Sequence, residues 1–362
     1  MPKTRILILF GGRSAEHEVS VISARSVYNA LDLNRYEVVL VGISRDGRWL
    51  FSGNDESILN DKEVVALHAN VVDLSVTRGE LVKYDGSPVK TGGFDVVFPL
   101  LHGTYGEDGT IQGLFELVGV PYVGAGVTAS AVGMDKELAR AVFSASGLPQ
   151  TRYIVIQRSR CREDLDSVLQ EIESKFDYPL FLKPVNLGSS VGVSKAHDRN
   201  QLIQGLRCAG AYDTKIMVEA SVEGAREIEC AVLGNENPSV SGVGEIIPGA
   251  EFYDYTTKYI VDRSKLLIPA DLPEATVATV RNMAARAFRA IDGSGLARVD
   301  FLLGTNDQML INEINTMPGF TPISMYPKLW EASGLGLPDL IQQLISLALD
   351  RHTERRGLKI TL

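Results

Sequence analysis

Residues 298–319, RVDFLLGTNDQMLINEINTMPG, constrain the chain more than any other stretch. Two apolar runs, 299–303 and 309–314, flank Gly304, Thr305, Asn306 and Asp307, a turn composition that joins antiparallel strands. Side chains alternate across a strand, so Arg298 and Asp300 share one face of the first run, Glu313 and Asn315 one face of the second, and all four meet over one patch. Two carboxylates and an amide oxygen, with no Cys or His, form an oxygen-only set that suits Mg²⁺ or Mn²⁺ rather than zinc or copper. Mg²⁺ held so sparsely completes its shell with water and substrate phosphates. A hairpin with a solvated charged face gives the same pattern, although these apolar runs are too continuous for an open face. The rest of the chain must therefore supply a phosphate-bearing substrate.

A chain of 362 residues has room for two or three domains with full cores. An apolar content of 45% and a charged content of 22% are those of an ordinary globular protein. The formal net charge of -9, with no long basic run, excludes non-specific nucleic-acid binding. An acidic protein still binds a nucleotide where local Lys, Arg and metal ions supply positive charge. No uninterrupted apolar span reaches membrane length, and residues 1–5 lead straight into a strand rather than a signal sequence. A cytoplasmic protein without a membrane partner is expected. Cys161, Cys208 and Cys230 are odd in number and widely spaced, which predicts free thiols.

Residues 5–10 read as a buried strand, followed by Gly11-Gly12, a helix with its apolar stripe through Val19, Ile22, Val27 and Leu31, and a second strand over 36–43. This βαβ unit keeps its ligands at the carboxyl ends of the strands, but GGRSAE lacks the third glycine of a dinucleotide fingerprint. Residues 45–92 are less regular and read as an insertion. A buried strand over 94–101 ends in the glycine-rich loop HGTYGEDG, and 121–124 form a further short strand. The spacing predicts one helix over 134–146 and a boundary before Gly147-Leu148-Pro149. Strand 178–183 then leads through the loop NLGSSVG to a return strand, and Asp198 to Gln201 form a capping box. Lying between strands, that glycine loop is no Walker A motif; its N–H groups suit phosphate, and a plain hairpin turn fits the same residues. Lys183, closing an apolar strand, needs a partner, of which phosphate is one candidate. Strands over 216–219 and 227–232 bring Glu219 and Glu227 near one site, and 245–268 read as a long polar loop whose three tyrosines argue for function. Helices are expected over 273–291 and 338–352.

The ordered motifs GGRSAEHEVS (11–20), HGTYGEDG (102–109), MDK (134–136), KP with GSSVG (183–192), YDYTTKY (253–259), RVD (298–300) and NEINTMPG (312–319) span nearly the whole chain. In this order they resemble the ATP-grasp carboxylate-amine ligases, and among them the D-alanyl-D-alanine ligases of the longer length class. The resemblance implies an α/β and α+β architecture: an ATP-grasp fold behind an N-terminal Rossmann-like domain. The units expected are 1–133, with the insertion 45–92; 134–224, with the glycine loop; and 225–362, with a lid loop over 245–268. The implied reaction moves the γ-phosphoryl group of ATP to one D-alanine carboxylate, after which the amine of a second D-alanine displaces phosphate.

The resemblance also assigns roles. Two Mg²⁺ or Mn²⁺ ions would sit on Asp300, Glu313 and Asn315, and Lys136, Lys183, Ser190 and Lys258 on ATP phosphates. Glu219 and the backbone after it would read the adenine edge, and Glu227 the ribose; an extra residue in the run 224–227 departs from the family pattern and bears on the register of Glu227. Arg298 would neutralise the acyl phosphate and the oxyanion. Glu16 would pair with the first ammonium, linked to Ser189 and Tyr259, although its place in a helix first turn is explained by the macrodipole alone. His102 would contact the first substrate, and Ser324 with the backbone near Gly319 and Met325 would hold the second carboxylate. Phe301 is assigned to the core in preference to the purine. Tyr259 favours the dipeptide over D-alanyl-D-lactate, and a homodimer through the N-terminal unit is implied. The rival readings are another ATP-grasp dipeptide or depsipeptide ligase, a nucleotide-binding module without chemistry, and a nicotinamide dehydrogenase.

Overall fold

The structure is a computed structural model that describes residues 2–51, 55–64, 70–76, 79–83, 86, 87, 89, 93–247 and 265–359. Strand β1 (Thr4–Gly11) is apolar without alternation, as a strand covered on both faces must be. Helix α1 (His17–Ala30) and strand β2 (Tyr36–Ile43) complete the expected βαβ unit, with β1 and β2 parallel. Strands β3 (Trp49–Phe51), β4 (Asn70–Ser75) and β5 (Glu80–Lys83) add antiparallel at the β2 edge, so the insertion widens the first sheet. Strand β6 (Val96–Leu100) lies parallel on the other side of β1, giving the order β5-β4-β3-β2-β1-β6. The chain reverses direction across the sheet between β1 and β6, the switch point where such sheets bind ligands. Ile6, Ile8 and Phe10 pack toward Val21, Ala24 and Val27 of α1. Leu7 and Leu9 pack toward Ile111 and Phe115 of α2 (Thr110–Val118). The short strand expected over 121–124 is a single parallel bridge, Val97 to Tyr122.

The helix expected over 134–146 is two: α3 (Val127–Met134) and α4 (Lys136–Ala145). Asp135 separates them in an extended conformation (φ -83°, ψ 102°), and its carboxylate accepts from the Glu137 and Leu138 N–H groups at 3.0 Å. An acid one residue before a helix start acts as an N-cap, and here that preference outweighs continuation of the helix. Strand β7 (Tyr153–Gln157) and helices α5 (Arg158–Glu163) and α6 (Leu165–Lys175) have no counterpart in the sequence reading. Strands β8 (Leu180–Pro184) and β9 (Ser194–Ala196), helix α7 (Arg199–Tyr212) and strand β10 (Lys215–Ala220) follow. Asp198 caps α7 by accepting from Gln201 N at 2.9 Å. The second sheet, β7-β10-β8-β9, is antiparallel, and α6 and α7 cover it through Val168, Leu169, Leu202 and Leu206.

The third sheet runs β13-β12-β11-β14-β15 and is antiparallel throughout. Its strands are β11 (Arg226–Gly234), β12 (Ser239–Ile247), β13 (Lys265–Leu267), β14 (Gly295–Leu303) and β15 (Met309–Asn315). The segment expected as a loop over 245–268 is corrected at both ends: β12 runs to Ile247 and pairs with β13, Glu245 opposite Leu267. Residues 248–264, with Lys258 and Tyr259, lie outside the described residues. Helix α8 (Glu274–Ala290) packs Val280, Ala284 and Phe288 in one core with Cys230, Val299 and Phe301. Helices α9 (Met325–Ala332) and α10 (Leu337–Arg356) place Tyr326, Leu329, Leu340 and Leu344 in one continuous core with Ile6, Ile8 and Phe10 of β1. No helix among the described residues is long and apolar enough to cross a membrane.

Candidate active site

The β14–β15 hairpin forms as its sequence predicts, with Arg298 paired to Asn315 and Asp300 to Glu313. Val299, Phe301 and Leu303 point into the core, which leaves Arg298 and Asp300 on the opposite face. The register shifts after Asp300, since Phe301 pairs with Ile311, and Asn312 is the extra residue. This bulge turns Asn312 and Glu313 into the same cleft, which strict alternation forbids. Arg298 grips Asp300 with two bonds, Nε to Oδ1 and Nη2 to Oδ2, each 2.7 Å. Its Nε also lies 3.0 Å from Glu229 Oε2. Burial would lower the Arg298 pKa, but Asp300 and Glu229 overcome it and hold the guanidinium charged, its pKa well above the ordinary value.

A cleft of about 390 Å³ opens between the second and third sheets, within the size range of small-molecule sites. Lys136, Lys183, Ser190, Glu219, Glu227, Asp300 and Glu313 all line it. Lys136 opens α4, and its Nζ donates to the Leu187 carbonyl and lies 3.7 Å from Glu313 Oε2. The partner that Lys183 needs is Glu219, at 2.6 Å. The other oxygen of Glu219 accepts from Arg140 and from Thr151. Burial pushes the Glu219 carboxyl up, yet Arg140 and Lys183 outweigh it and lower its pKa to about 2. Both Glu219 oxygens are thus committed within the protein, while Ala220, Ser221 and Val222 beyond it line the cleft. Phe301 is 1% exposed and packs in the core, and it also forms part of the cleft lining. The glycine loop forms one wall, with Ser189 and Ser190 at φ 49° and 58°, a left-handed conformation that non-glycine residues adopt at a cost.

A smaller cavity adjoins the cleft and shares Gly188, Ser189, Glu229 and Glu313 with it. Glu16, His102, Arg298, Asn315, Gly319, Ser324 and Met325 line it too. Glu16 is the N-cap residue of α1, and Ser189 Oγ donates to its carboxylate from the glycine loop, 173 residues away in sequence. Glycines clear the space: a Cβ on Gly103 would stand 3.0 Å, and one on Gly188 3.2 Å, from Glu16 Oε2. Ser324 is the N-cap residue of α9, and Met325 its first residue, so helix N–H groups are presented at this end. His102, expected to touch substrate, uses both ring nitrogens within the protein: Nδ1 is 3.0 Å from Met317 O and Nε2 3.1 Å from Ser23 Oγ. Glu107 was not anticipated; burial and the nearby Glu16 raise its pKa well above the usual carboxylate range.

Besides Glu107, Arg140, Glu229 and Asn312 reach the site without an assigned role in the sequence motifs. Glu229 is readable in the sequence as the residue one strand period after Glu227, and in the structure it pairs across to Asp300. Arg140 carries no such signal, being a basic residue in an amphipathic helix until its burial is known. For a divalent ion the donor chemistry of Asp300, Glu313 and Asn315 fits: all three offer oxygen, and Asp300 faces Glu313 across the strand pair. Among the described residues no group of three or more His, Cys, Asp or Glu side chains gathers to hold a metal. An ion here would therefore need substrate oxygens to complete its shell.

Comparison with known proteins matches this architecture. A family profile described as "D-ala D-ala ligase N-terminus" covers residues 5–125, and one described as "D-ala D-ala ligase C-terminus" covers 142–346. The D-alanine--D-alanine ligase of Acetivibrio thermocellus is 52% identical over 97% of this chain and 97% of its own. That of Halothermothrix orenii is 48% identical over 97% and 99%. In solved structures, the D-alanine-D-alanine ligase of Coxiella burnetii superposes with a TM-score of 0.84 at 38% identity, covering 98% of this chain and 97% of that one. The VanG D-Ala:D-Ser ligase of Enterococcus faecalis gives 0.84 at 34%, covering 96% and 100%. The ATP-grasp architecture expected from the motifs is the one these neighbours share, and with both halves of the profile matched in order the chain belongs to the D-alanine–D-alanine ligase family.

Proposed function

We propose that the protein joins two molecules of D-alanine into D-alanyl-D-alanine with ATP, through a D-alanyl phosphate, to supply peptidoglycan synthesis. The observation that carries this reading is the wall that the two cavities share, Gly188, Ser189, Glu229 and Glu313, with Arg298 in the smaller cavity bonded to Asp300 of the cleft. A nucleotide in the cleft then directs its terminal phosphate at a carboxylate in the smaller cavity. Glu16 receives the first ammonium, and Ser189 orients Glu16 while closing the glycine loop over the phosphates. The first carboxylate attacks the γ-phosphorus and ADP leaves. The second amine attacks the acyl carbon, and phosphate departs. Arg298 offsets charge on the acyl phosphate and on the tetrahedral oxyanion. Lys136, Lys183, Ser190 and Lys258 contact phosphate oxygens, the backbone after Glu219 the adenine edge, and Glu227 the ribose. Asp300, Glu313 and Asn315 would hold two Mg²⁺ or Mn²⁺ ions, which neutralise triphosphate charge. Gly319, Ser324 and Met325 cradle the second carboxylate at the α9 N-terminus, and Tyr259 closes the link from Ser189.

Units at 1–133, 134–224 and 225–362, a homodimer and a cytoplasmic location complete the reading. D-alanyl-D-lactate or another dipeptide is the alternative product. Mass analysis after incubation with Mg·ATP and D-alanine, alone or with D-lactate or D-serine, decides between them. The D,D-dipeptide of alanine is expected to dominate in every mixture, and its formation should stop on chelation of the metal. Preferential formation of a mixed product would reassign the second substrate.

A further inference from the structure

Helix α1 carries Glu16 at its N-cap and Ser23 seven residues on, which is two turns and the same helix face. Ser23 is wholly buried, and its hydroxyl joins three parts of the chain. It accepts from Phe320 N at 3.1 Å and lies 3.1 Å from His102 Nε2. His102 Nδ1 is 3.0 Å from the Met317 carbonyl, which can only accept, so Nδ1 carries the proton and Nε2 receives the Ser23 proton. The loop over 316–320 is thus held twice, at Met317 O through His102 and at Phe320 N by Ser23 directly. Gly319 lies between the two holds, and a Cβ built on it would stand 3.9 Å from Ser23 Oγ.

We infer that Ser23 is a positioning residue for the second substrate: acting through His102 and the loop 316–320, it fixes the second-carboxylate cradle relative to Glu16. This rests on the proposed ligation. Helix α1 then acts as a rigid spacer of roughly 10 Å between the anchor for the first ammonium and the hold on the second cradle. Nothing else on the inner face of α1 reaches this loop by a side-chain bond among the described residues; Ser20 instead binds Gly11 N at 2.7 Å and the Leu100 carbonyl, tying α1 to the sheet. Without the Ser23 hydroxyl, the buried Phe320 N–H and His102 Nε2 both lose their partner, and the loop must move to find others.

The test is a set of initial-rate curves in D-alanine, resolved into constants for the first and second molecule, for wild type, Ser23→Ala and Ser23→Thr, with melting temperatures. Ser23→Ala is expected to raise the constant for the second D-alanine about tenfold, with those for the first D-alanine and for ATP within about twofold of wild type. Ser23→Thr, which keeps the hydroxyl, should return the second constant toward wild type. A Ser23→Ala enzyme whose second constant is unmoved, or whose three constants rise together with a fall in melting temperature, overturns the inference. Wild-type protein that forms no D,D-dipeptide overturns the ligation reading itself, and the two failures are distinguishable in one data set.

Discussion

Glu219 shows how a buried charge is kept. Its folded pKa of about 2 lies below its ordinary 4.5, so it stabilises the fold fully above pH 4.5 and loses that contribution as pH falls toward 2. The difference corresponds to about 3 kcal/mol at neutral pH. Denaturant titrations between pH 2 and 5 should therefore show wild type losing about 3 kcal/mol more than Glu219→Gln; parallel pH profiles would remove the charge network from the account. Arg298 is the matching case on the cation side. Its loss leaves Glu229 directly opposite Asp300 across the strand pair, both acidic and largely buried. Arg298→Met should lower kcat by a factor of about 10² or more and destabilise the fold by about 3–5 kcal/mol. Steady-state rates and melting curves check both, and near-wild-type turnover would contradict the assigned role. At this scale the sequence was informative about residue type and weak on partners. Lys183 plainly required a counter-charge, but that Glu219 supplies it, with Arg140 behind, depends on β8 and β10 being neighbours.

At the scale of elements, local rules carried most of the reading and failed where one extra residue intervened. The strand over 36–43 and the capped start of α7 followed from apolar pattern and cap chemistry. The bulge at Asn312 did not, because alternation has no term for an unpaired residue, and the bulge is what brings Asn312 beside Glu313. Asp135 broke an apparently continuous helix for a similar local reason, and the break makes Lys136 the first residue of α4, where it enters the cleft. Gly319 offers a test at this level. A Cβ there would stand 2.8 Å from Ser324 Oγ, which accepts from Thr321 N at 3.0 Å. Gly319→Ala should displace that hydroxyl and raise the constant for the second D-alanine several-fold, with ATP affinity unchanged. Kinetics unaltered in the second substrate would show that the α9 N-terminus does not form its cradle.

Across the whole molecule, the first and last parts of the chain share one core. Helices α9 and α10 pack against β1 and α1, and Arg351 of α10 reaches Tyr122 O at 3.0 Å and Ser294 Oγ at 2.7 Å. No periodicity predicts this closure, since it joins residues more than 200 positions apart. It explains why the small cavity draws on the start of α1, the loop after β6, the glycine loop and the α9 end at once. The central claim is that this junction passes a phosphoryl group to a carboxylate before the peptide bond forms. Turnover of Mg·ATP with D-alanine labelled by ¹⁸O in its carboxylate tests it most directly. A D-alanyl phosphate predicts that each phosphate released with the dipeptide carries one ¹⁸O from the first D-alanine. Unlabelled phosphate released alongside the dipeptide would contradict the account.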